Sequence, residues 1–276
     1  MNRPMPFVDI HCHLVPGLDD GASNWGDALA MAEMAAADGI GTIVVTPHQL
    51  GSHATNSGQI IRTATARLQQ FLNDQRVPLR VLPGADVRIE PDLLRRIRIG
   101  EVLTLADRRR HVLLELPHDI YVPLDRLLAE LASAGLAGIL SHPERNLVIL
   151  SRSDVVRHLV ERGCLLQVTA GSLTGTFGPE IQRFAESLVE QGLVHFIGTD
   201  AHGTKTRAPL LAAAFQRVAR LAGRDAAVDL CCRNPAAVAA GKPVPPGRRM
   251  PAKFTWTDWW RRTFPSPSER VIAKTI

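Results

Sequence analysis

The sequence predicts an α/β protein built on a parallel sheet, and two observations carry that expectation. Apolar, β-branched runs recur along the chain, each ending in a small or polar residue, and helical patterns fill the intervals between them. Strands are expected over 7–10, 41–46, 79–83, 111–116, 137–141, 164–168 and 194–198. Helices are expected over 27–38, 59–73, 91–97, 124–133, 154–162 and 180–190, with starts at Pro91-Asp92 and Ser153-Asp154. The second observation is punctuation. Gly39, Gly135, Gly163 and Gly192 fall where helices should stop, a short step before the next strand. Strand and helix alternate about seven times, the signature of parallel β/α units. Periodicity alone fits a closed barrel and an open doubly wound sheet equally well.

Composition bounds the rest. The 276 residues are 45% hydrophobic and 21% charged, enough for a core of barrel size. No run of 18 uncharged apolar residues occurs, and the first six residues lack the apolar stretch of a secretory signal, so a cytoplasmic location is expected. Four cysteines (Cys12, Cys164, Cys231, Cys232), none in a Cys-x-x-Cys pair, argue against a disulfide framework or a zinc finger. The formal charge of +5 is unevenly placed: eight Lys/Arg and two acids follow residue 240, leaving a body of 24 basic and 25 acidic residues. A nucleic-acid-coating protein should carry its basic footprint on the folded body, so no nucleic-acid partner is expected. The chain divides into a domain over 1–243 and a basic, Pro- and Trp-containing tail over 244–276.

The chemistry-bearing residues are not scattered. His11, His13, His48, His142 and His202 lie just beyond expected strand ends, as do Asp86 and Asp200; Glu115 sits near the end of its strand, and Asp20 in the loop after the first. In a parallel barrel those ends open on one face, where active sites are built. His11 and His13 are two apart, so their rings point the same way, and Asp200 and His202 repeat the spacing. Imidazoles and carboxylates on rigid strand ends suit a hydrolytic metal site. Competing chemistries lack their parts. There is no Gly-x-Gly-x-x-Gly, no Gly-x-x-x-x-Gly-Lys and no His-Glu-x-x-His, and no cysteine has an arginine six positions on. His53, His111, His118, His158 and His195 lack strand-end positions and are read as surface or structural. Asp9 either orients a ligand from behind or is a buried, hydrogen-bonded carboxylate; Gln167 and Thr169 are placed to touch substrate.

As a set, His11-Cys12-His13, Leu18-Asp19-Asp20-Gly21, Thr46-Pro47-His48, Gly84-Ala85-Asp86, Leu114-Glu115-Leu116, Ser141-His142-Pro143-Glu144-Arg145 and Thr199-Asp200-Ala201-His202 resemble the PHP (polymerase and histidinol phosphatase) metal-dependent phosphoesterases. The branch they resemble most is the bacterial manganese-dependent protein-tyrosine phosphatases of capsule and exopolysaccharide operons. The resemblance spans about 7–240 and implies a distorted seven-stranded, TIM-like (β/α)7 barrel. It implies that His11, His13 and Asp200 hold one metal, that Glu115 and His142 hold a second, and that Asp20, His48 and His202 hold a third. Asp86 stands where the branch usually carries Glu. It is one methylene shorter, and either bridges two metals or binds one. Arg145 and Arg207 correspond to phosphate clamps. The implied reaction is in-line attack on phosphotyrosine by metal-bound hydroxide, with His48 and Asp20 counted among the catalytic groups and His48 or Asp19 available as an acid for alcohol leaving groups.

Charge counting bears on the number of metals. Asp20, Asp86, Glu115 and Asp200 contribute −4, so three divalent ions leave about +2 for a phosphate dianion and two ions leave none. Mn²⁺ is the implied metal, with Fe and Zn as alternatives. The implied partner is a phosphotyrosyl protein, such as a tyrosine kinase of polysaccharide export. Three rivals stay open: a histidinol-phosphate type of small-molecule phosphatase, a catalytically inactive PHP-type binding domain, and an amidohydrolase on a similar barrel. In the tail, Trp256, Trp259, Trp260 and Phe264 form one apolar stripe beside Arg261 and Arg262, expected to pack on the barrel or on a second subunit, or to meet the inner face of a membrane.

Overall fold

A computed structural model describes residues 5–245 of the chain. The tail stripe at Trp256, Trp259, Trp260 and Phe264 lies outside them.

The chain opens with β1 (Phe7–Cys12), α1 (Trp25–Ala37), β2 (Ile40–Val45), β3 (His48–Gln49) and α2 (Gly58–Asp74). Then come β4 (Arg80–Pro83), β5 (Asp86–Arg88), α3 (Leu93–Arg98), β6 (His111–Glu115), α4 (Asp125–Ser133) and β7 (Ala137–Ser141). Next are α5 (Leu147–Ser151), α6 (Asp154–Glu161), β8 (Leu165–Thr169), α7 (Ala170–Thr174), α8 (Pro179–Glu190) and β9 (Phe196–Gly198). Three helices close the described chain: α9 (Ala212–Ala222), α10 (Arg224–Val228) and α11 (Asn234–Ala239).

Each expected strand forms. Strands such as β8, buried at all five residues, read as unbroken apolar runs because protein covers both faces. The helices bury one stripe each: α2 turns Ile61, Thr65, Leu68 and Leu72 inward at spacings of three and four. Asn24 caps α1 by accepting from the Gly26 and Asp27 amides, and Ser57 caps α2 through Ile60. The expected start at Ser153-Asp154 is found, but the Ser153 side chain makes no capping bond. Helices α5, α7, α9, α10 and α11 lie outside the expectation. In α9 only Ala214, Phe215 and Val218 turn inward, so its alanines blur the apolar period.

All strand pairings are parallel, in the orders β1-β2-β4 and β3-β5-β6-β7-β8-β9. The architecture is an α/β fold with a curled, half-barrel parallel sheet. Strands β3 and β5 follow breaks in the ladder: Pro47 precedes β3 and has no amide to donate, and Gly84 lets its backbone approach Val44 so closely that a Cβ would lie 2.7 Å from a Val44 methyl.

Beyond the ladders, the ends of β1 and β9 are tied directly. Asp200 N–H donates to His11 O at 2.7 Å and His13 N–H donates to Ala201 O at 2.9 Å. Behind them the buried Asp9 carboxylate accepts from the His11 and Thr199 amides, both at 3.1 Å, and from the Thr199 hydroxyl at 2.5 Å. Burial lifts its pKa to about 6 against those bonds. Asp9 is thus the buried, hydrogen-bonded carboxylate of the two readings.

Two buried histidines make stability depend on pH. His195 sits between strands, its Nδ1 accepting from Leu166 N–H at 3.1 Å, and burial holds its pKa down at about 4. His111 is also held near about 4, by burial and by Arg110. An unfolded histidine titrates near about 6.5, so only the unfolded chain gains these protons as pH falls from there toward 4. Each group therefore costs up to about 3 kcal/mol of stability across that window. His195→Asn keeps an acceptor for Leu166 without the titration. In metal-stripped protein its urea midpoint should fall less steeply between pH 7 and pH 4.5 than that of the wild type; parallel declines would refute the assignment.

Candidate metal centre

The strand ends bring every sequence-named ligand to one place. His11 lies on β1 and His13 just past it; His48 is on β3, Asp86 on β5 and Glu115 at the end of β6; His142 follows β7, and Asp200 and His202 follow β9. Their donor atoms fall into four overlapping groups, each within 4.8 Å: His13, Asp20, His48 and His202; His11, His142 and Asp200; His11, His13 and Asp86; and His48, Asp86 and Glu115. This differs in part from the sets the resemblance implied. His142 lies with His11 and Asp200, Glu115 lies with His48, and His13 joins the Asp20 group. Asp86 Oδ2 stands 3.5 Å from His11 Nε2 and 3.6 Å from His48 Nδ1, so one carboxylate faces two groups despite its shorter side chain.

Hydrogen bonds decide which nitrogen of each ring faces inward. His13 Nδ1 lies 2.6 Å from Asp19 Oδ2, His202 Nδ1 2.9 Å from the Asp200 carbonyl, and His11 Nδ1 2.7 Å from Gln167 Oε1. Each partner only accepts, so each Nδ1 donates and the Nε2 lone pairs turn to the centre. His11 Nε2 and His13 Nε2 are 3.2 Å apart. Two lone pairs at that separation attract only through a proton or a cation between them. Both oxygens of Asp86 and Nε2 of His202 are buried and accept no hydrogen bond among the described residues. Orphaned acceptors of this kind, converging from imidazoles and carboxylates, fit divalent metal ions.

Charge in the centre is strongly coupled. Against the cost of burial, Asp19 and Asp200 push His13 up to about 10. His11, His142 and His48 hold the buried Asp86 down at about 2, and Asp200 also lies well below the usual carboxylate range. Burial itself drives His142 and His202 down to about 3. Without a cation the carboxylates therefore draw protons onto some imidazoles while others stay neutral.

Both named arginines converge on Asp200. Arg145 Nη1 donates to Asp200 Oδ2, and Arg207 Nη2 lies 2.5 Å from the same oxygen. The other oxygen, Oδ1, faces His11 Nε2 at 3.2 Å and His13 Nε2 at 3.5 Å. Phe177 carries the Arg145 guanidinium 4.5 Å above its ring, and Arg207 Nε also donates to the Asp200 carbonyl. The two arginines line a pocket of about 240 Å³ with Asp20, His48, Glu115 and His142. His142 and Asp200 both adopt positive φ, 33° and 52°, so the backbone is strained at two of the converging positions.

Several side chains take places the sequence alone does not reveal. Asp19 holds His13 in its tautomer and also accepts from the Gly21 and His48 amides. Gln167, expected to touch substrate, is buried against His11; Thr169 is buried, its amide donating to Glu144. Glu144, inside the His-Pro-Glu-Arg segment, turns away from the centre to accept from Thr169 N–H and the Ser172 hydroxyl. His53, read as surface or structural, stacks on His48 with ring centroids 5.3 Å apart and planes 23° apart. The turn at Leu50 and Gly51, both at positive φ, folds the chain back on the His48 strand end. His118 lines the arginine pocket, whereas His158 pairs with Asp125.

Gly21 is where the Asp19–Asp20 loop meets the first strand. A Cβ there would lie 2.1 Å from the His13 carbonyl oxygen. Gly21→Ala should push Asp19 and Asp20 off the cluster. Asp19→Ala should leave His13 free to turn and weaken divalent-cation binding about 10- to 100-fold. Isothermal titration of chelator-stripped protein with Mn²⁺ checks both; wild-type affinity in either variant would reject that role.

The chain is similar to known proteins along most of its length. The family model described as capsular polysaccharide synthesis, CpsB/CapC, matches residues 7–240. The tyrosine-protein phosphatase YwqE of Bacillus subtilis is 39% identical over 203 residues, 73% of this chain and 79% of that protein. The tyrosine-protein phosphatase CpsB of Streptococcus agalactiae is 23% identical over 233 residues, 83% and 96% of the two chains. Among solved structures, a chain from the work on YwqE from Bacillus subtilis and CpsB from Streptococcus pneumoniae, described as unique metal-dependent tyrosine phosphatases, superposes with a TM-score of 0.83 at 33% identity. That match covers 88% of this chain and 99% of the other. A phosphotriesterase homology protein from Escherichia coli, at 11% identity and TM-score 0.56, shares the fold, covering 85% and 99% of the chains. With its strand-end cluster and its match over 7–240, this chain belongs to the CpsB/CapC family of capsular polysaccharide synthesis.

Proposed function

We propose that this protein is a metal-dependent phosphatase that hydrolyses phosphotyrosine in proteins, as the names of its relatives say of them. The observation that carries the proposal is the meeting of inward-facing imidazole lone pairs and orphaned carboxylate oxygens with two arginines. The carboxylates and imidazoles suit divalent cations, and the guanidinium forks suit a phosphoryl dianion. An amide substrate offers the arginines no such charge.

Three cation positions follow from the proximity groups: one at His13, Asp20, His48 and His202; one around His11 with His142 and Asp200; one at His48, Asp86 and Glu115, with Asp86 shared between neighbours. Bound there, divalent ions would neutralise phosphate charge and acidify a water toward neutral pH. Mn²⁺ is the proposed metal. The chain's own residues do the remainder. Arg145, steadied by Phe177, and Arg207, steadied by the Asp200 carbonyl, direct their free N–H groups into the pocket and bind the equatorial phosphoryl oxygens. Asp200 keeps both forks in place and shields them from each other. His48 and Asp20 flank the place where the ester oxygen departs. A phenolate leaves readily, since tyrosine has a pKa near about 10.

The proposed scaffold is a distorted seven-stranded barrel within a domain over 1–243. Its support is that β3 and β5 follow β2 and β4 with the same neighbour order, and that hydrogen bonds join β1 to the end of β9. Among the described residues no helix is long and apolar enough to cross a membrane.

Removing metal with a chelator should abolish hydrolysis of a phosphotyrosyl peptide, and Mn²⁺ should restore it; activity that survives chelation would refute the proposal. His13→Ala and His142→Ala should each remove turnover while retaining the fold by circular dichroism. Arg145→Ala should lower kcat/KM about 10²- to 10³-fold with metal content unchanged. Metal analysis of unchelated protein should find three ions per chain, and full activity with two would overturn that count.

A further inference from the structure

The cluster has two sides, and Arg145 and Arg207 occupy only one of them. A second cleft, of about 570 Å³, meets the arginine pocket at Asp20, His48 and Glu115. Its walls come from Gly51, Ser52 and His53 on one hand and from Arg88, Ile89 and Glu90 on the other. The His53 wall is built rather than loose. Leu50 and Gly51 hold φ of 72° and 55°, and Leu50 pairs with His53 in an antiparallel bridge, with His53 N–H donating to Leu50 O at 2.9 Å. Gly51 N–H donates to Glu90 Oε1 at 2.8 Å, linking the two walls. Asn56 donates to the His48 carbonyl and Gln49 to the Asn56 carbonyl, anchoring the far end of the turn. A non-glycine residue held at positive φ is strain that the surrounding bonds must sustain. The turn stacks the flat His53 ring on the His48 ring, with the planes 23° apart, and the pair runs from the cluster into the cleft.

In-line displacement at phosphorus puts the leaving oxygen opposite the attacking one. The larger cleft adjoins the smaller pocket at Asp20, His48 and Glu115, so a phosphoryl group held by Arg145 and Arg207 with its ester oxygen toward those three residues has room for its substituent only in that cleft. We propose that His53 is a specificity-determining residue for aryl leaving groups: the phenolic ring of the substrate enters the Gly51–Glu90 cleft and stacks on the His53 ring, continuing the plane pair begun by His48. Ile89 supplies apolar surface in the same cleft. The inference rests on the phosphatase reading and adds to it the residue that distinguishes an aryl from an alkyl phosphate. Offset stacking requires only a flat ring, and it adds nothing for a substrate that has none.

The test uses the full-length, metal-loaded protein with phenylphosphonate and methylphosphonate as non-hydrolysable probes of the two sides, alongside phosphotyrosine turnover. Wild type should bind phenylphosphonate more tightly than methylphosphonate. His53→Ala should weaken phenylphosphonate about three- to tenfold and leave methylphosphonate unchanged; His53→Phe should restore the aryl preference. KM for phosphotyrosine should rise by the same factor in His53→Ala, with kcat within about twofold of wild type. Equal weakening of both phosphonates, loss of metal from His53→Ala, or no change for either probe would overturn the inference. Because the phosphonates are not hydrolysed, a wild-type protein that turns over no phosphotyrosine yet shows the His53-dependent aryl preference would sink the phosphatase reading and with it the leaving-group role, and would leave His53 as an aryl-binding residue alone.

Discussion

The structure depends on a concentration of buried imidazoles and carboxylates at the ends of its strands. Imidazole nitrogens locked with lone pairs inward stand 3.2 Å apart at His11 and His13, beside the buried Asp86 carboxylate, neither of whose oxygens accepts a hydrogen bond among the described residues. Buried ionisable groups are costly unless paired or coordinated, and here protein partners pair only part of the cluster. Arginines pair with one oxygen of Asp200, while its other oxygen, with Asp86, faces the imidazoles. Asp200 is consequently the joint between the part of the site that suits cations and the part that suits an anion.

Much of the fold serves to hold that joint. Asp200 lies directly after β9, its amide bound to the His11 carbonyl, and the Asp9 carboxylate clasps Thr199 and the His11 amide behind it. Asp9 accepts from two backbone amides and the Thr199 hydroxyl and from nothing in the cluster. It works by fixing the two strand ends whose residues supply His11, His13, Asp200 and His202. Gly21 plays a steric counterpart on the other side: only a residue without a Cβ lets the Asp19–Asp20 loop pass against the His13 carbonyl. The loop then delivers two carboxylates with different duties. Asp19 orients the His13 ring from behind, and Asp20 faces His48 and His202.

The site is asymmetric in a way that suits phosphoryl transfer. Arg145 and Arg207 line the small pocket, and the stacked His48–His53 pair with Ile89, beside Arg88 and Glu90, lines the larger cleft. Asp20, His48 and Glu115 are common to both. His48 has carboxylates near each ring nitrogen, Asp20 at 3.5 Å from Nε2 and Glu115 at 3.5 Å from Nδ1. One imidazole thus spans the border between two groups of donors, an economy that a separate ligand set for each ion would not require.

The sequence by itself determined the parallel α/β plan and the roster of converging residues. Both follow from local signals: strands buried on both faces read as apolar runs, and a parallel sheet forces whatever follows each run onto one face. His11, His48, His142 and Asp200 were therefore legible as a set without any contact being known. Only the tertiary structure decided how the donors group, because Glu115 nearer His48 than His142 is a matter of strand curl and rotamer. It also decided that Gln167 and Asp19 set ring tautomers, that Glu144 turns away, and that His53 lies on His48. Those outcomes depend on hydrogen bonds between distant segments and on positive-φ turns at Leu50, His142 and Asp200, and no local residue pattern encodes them.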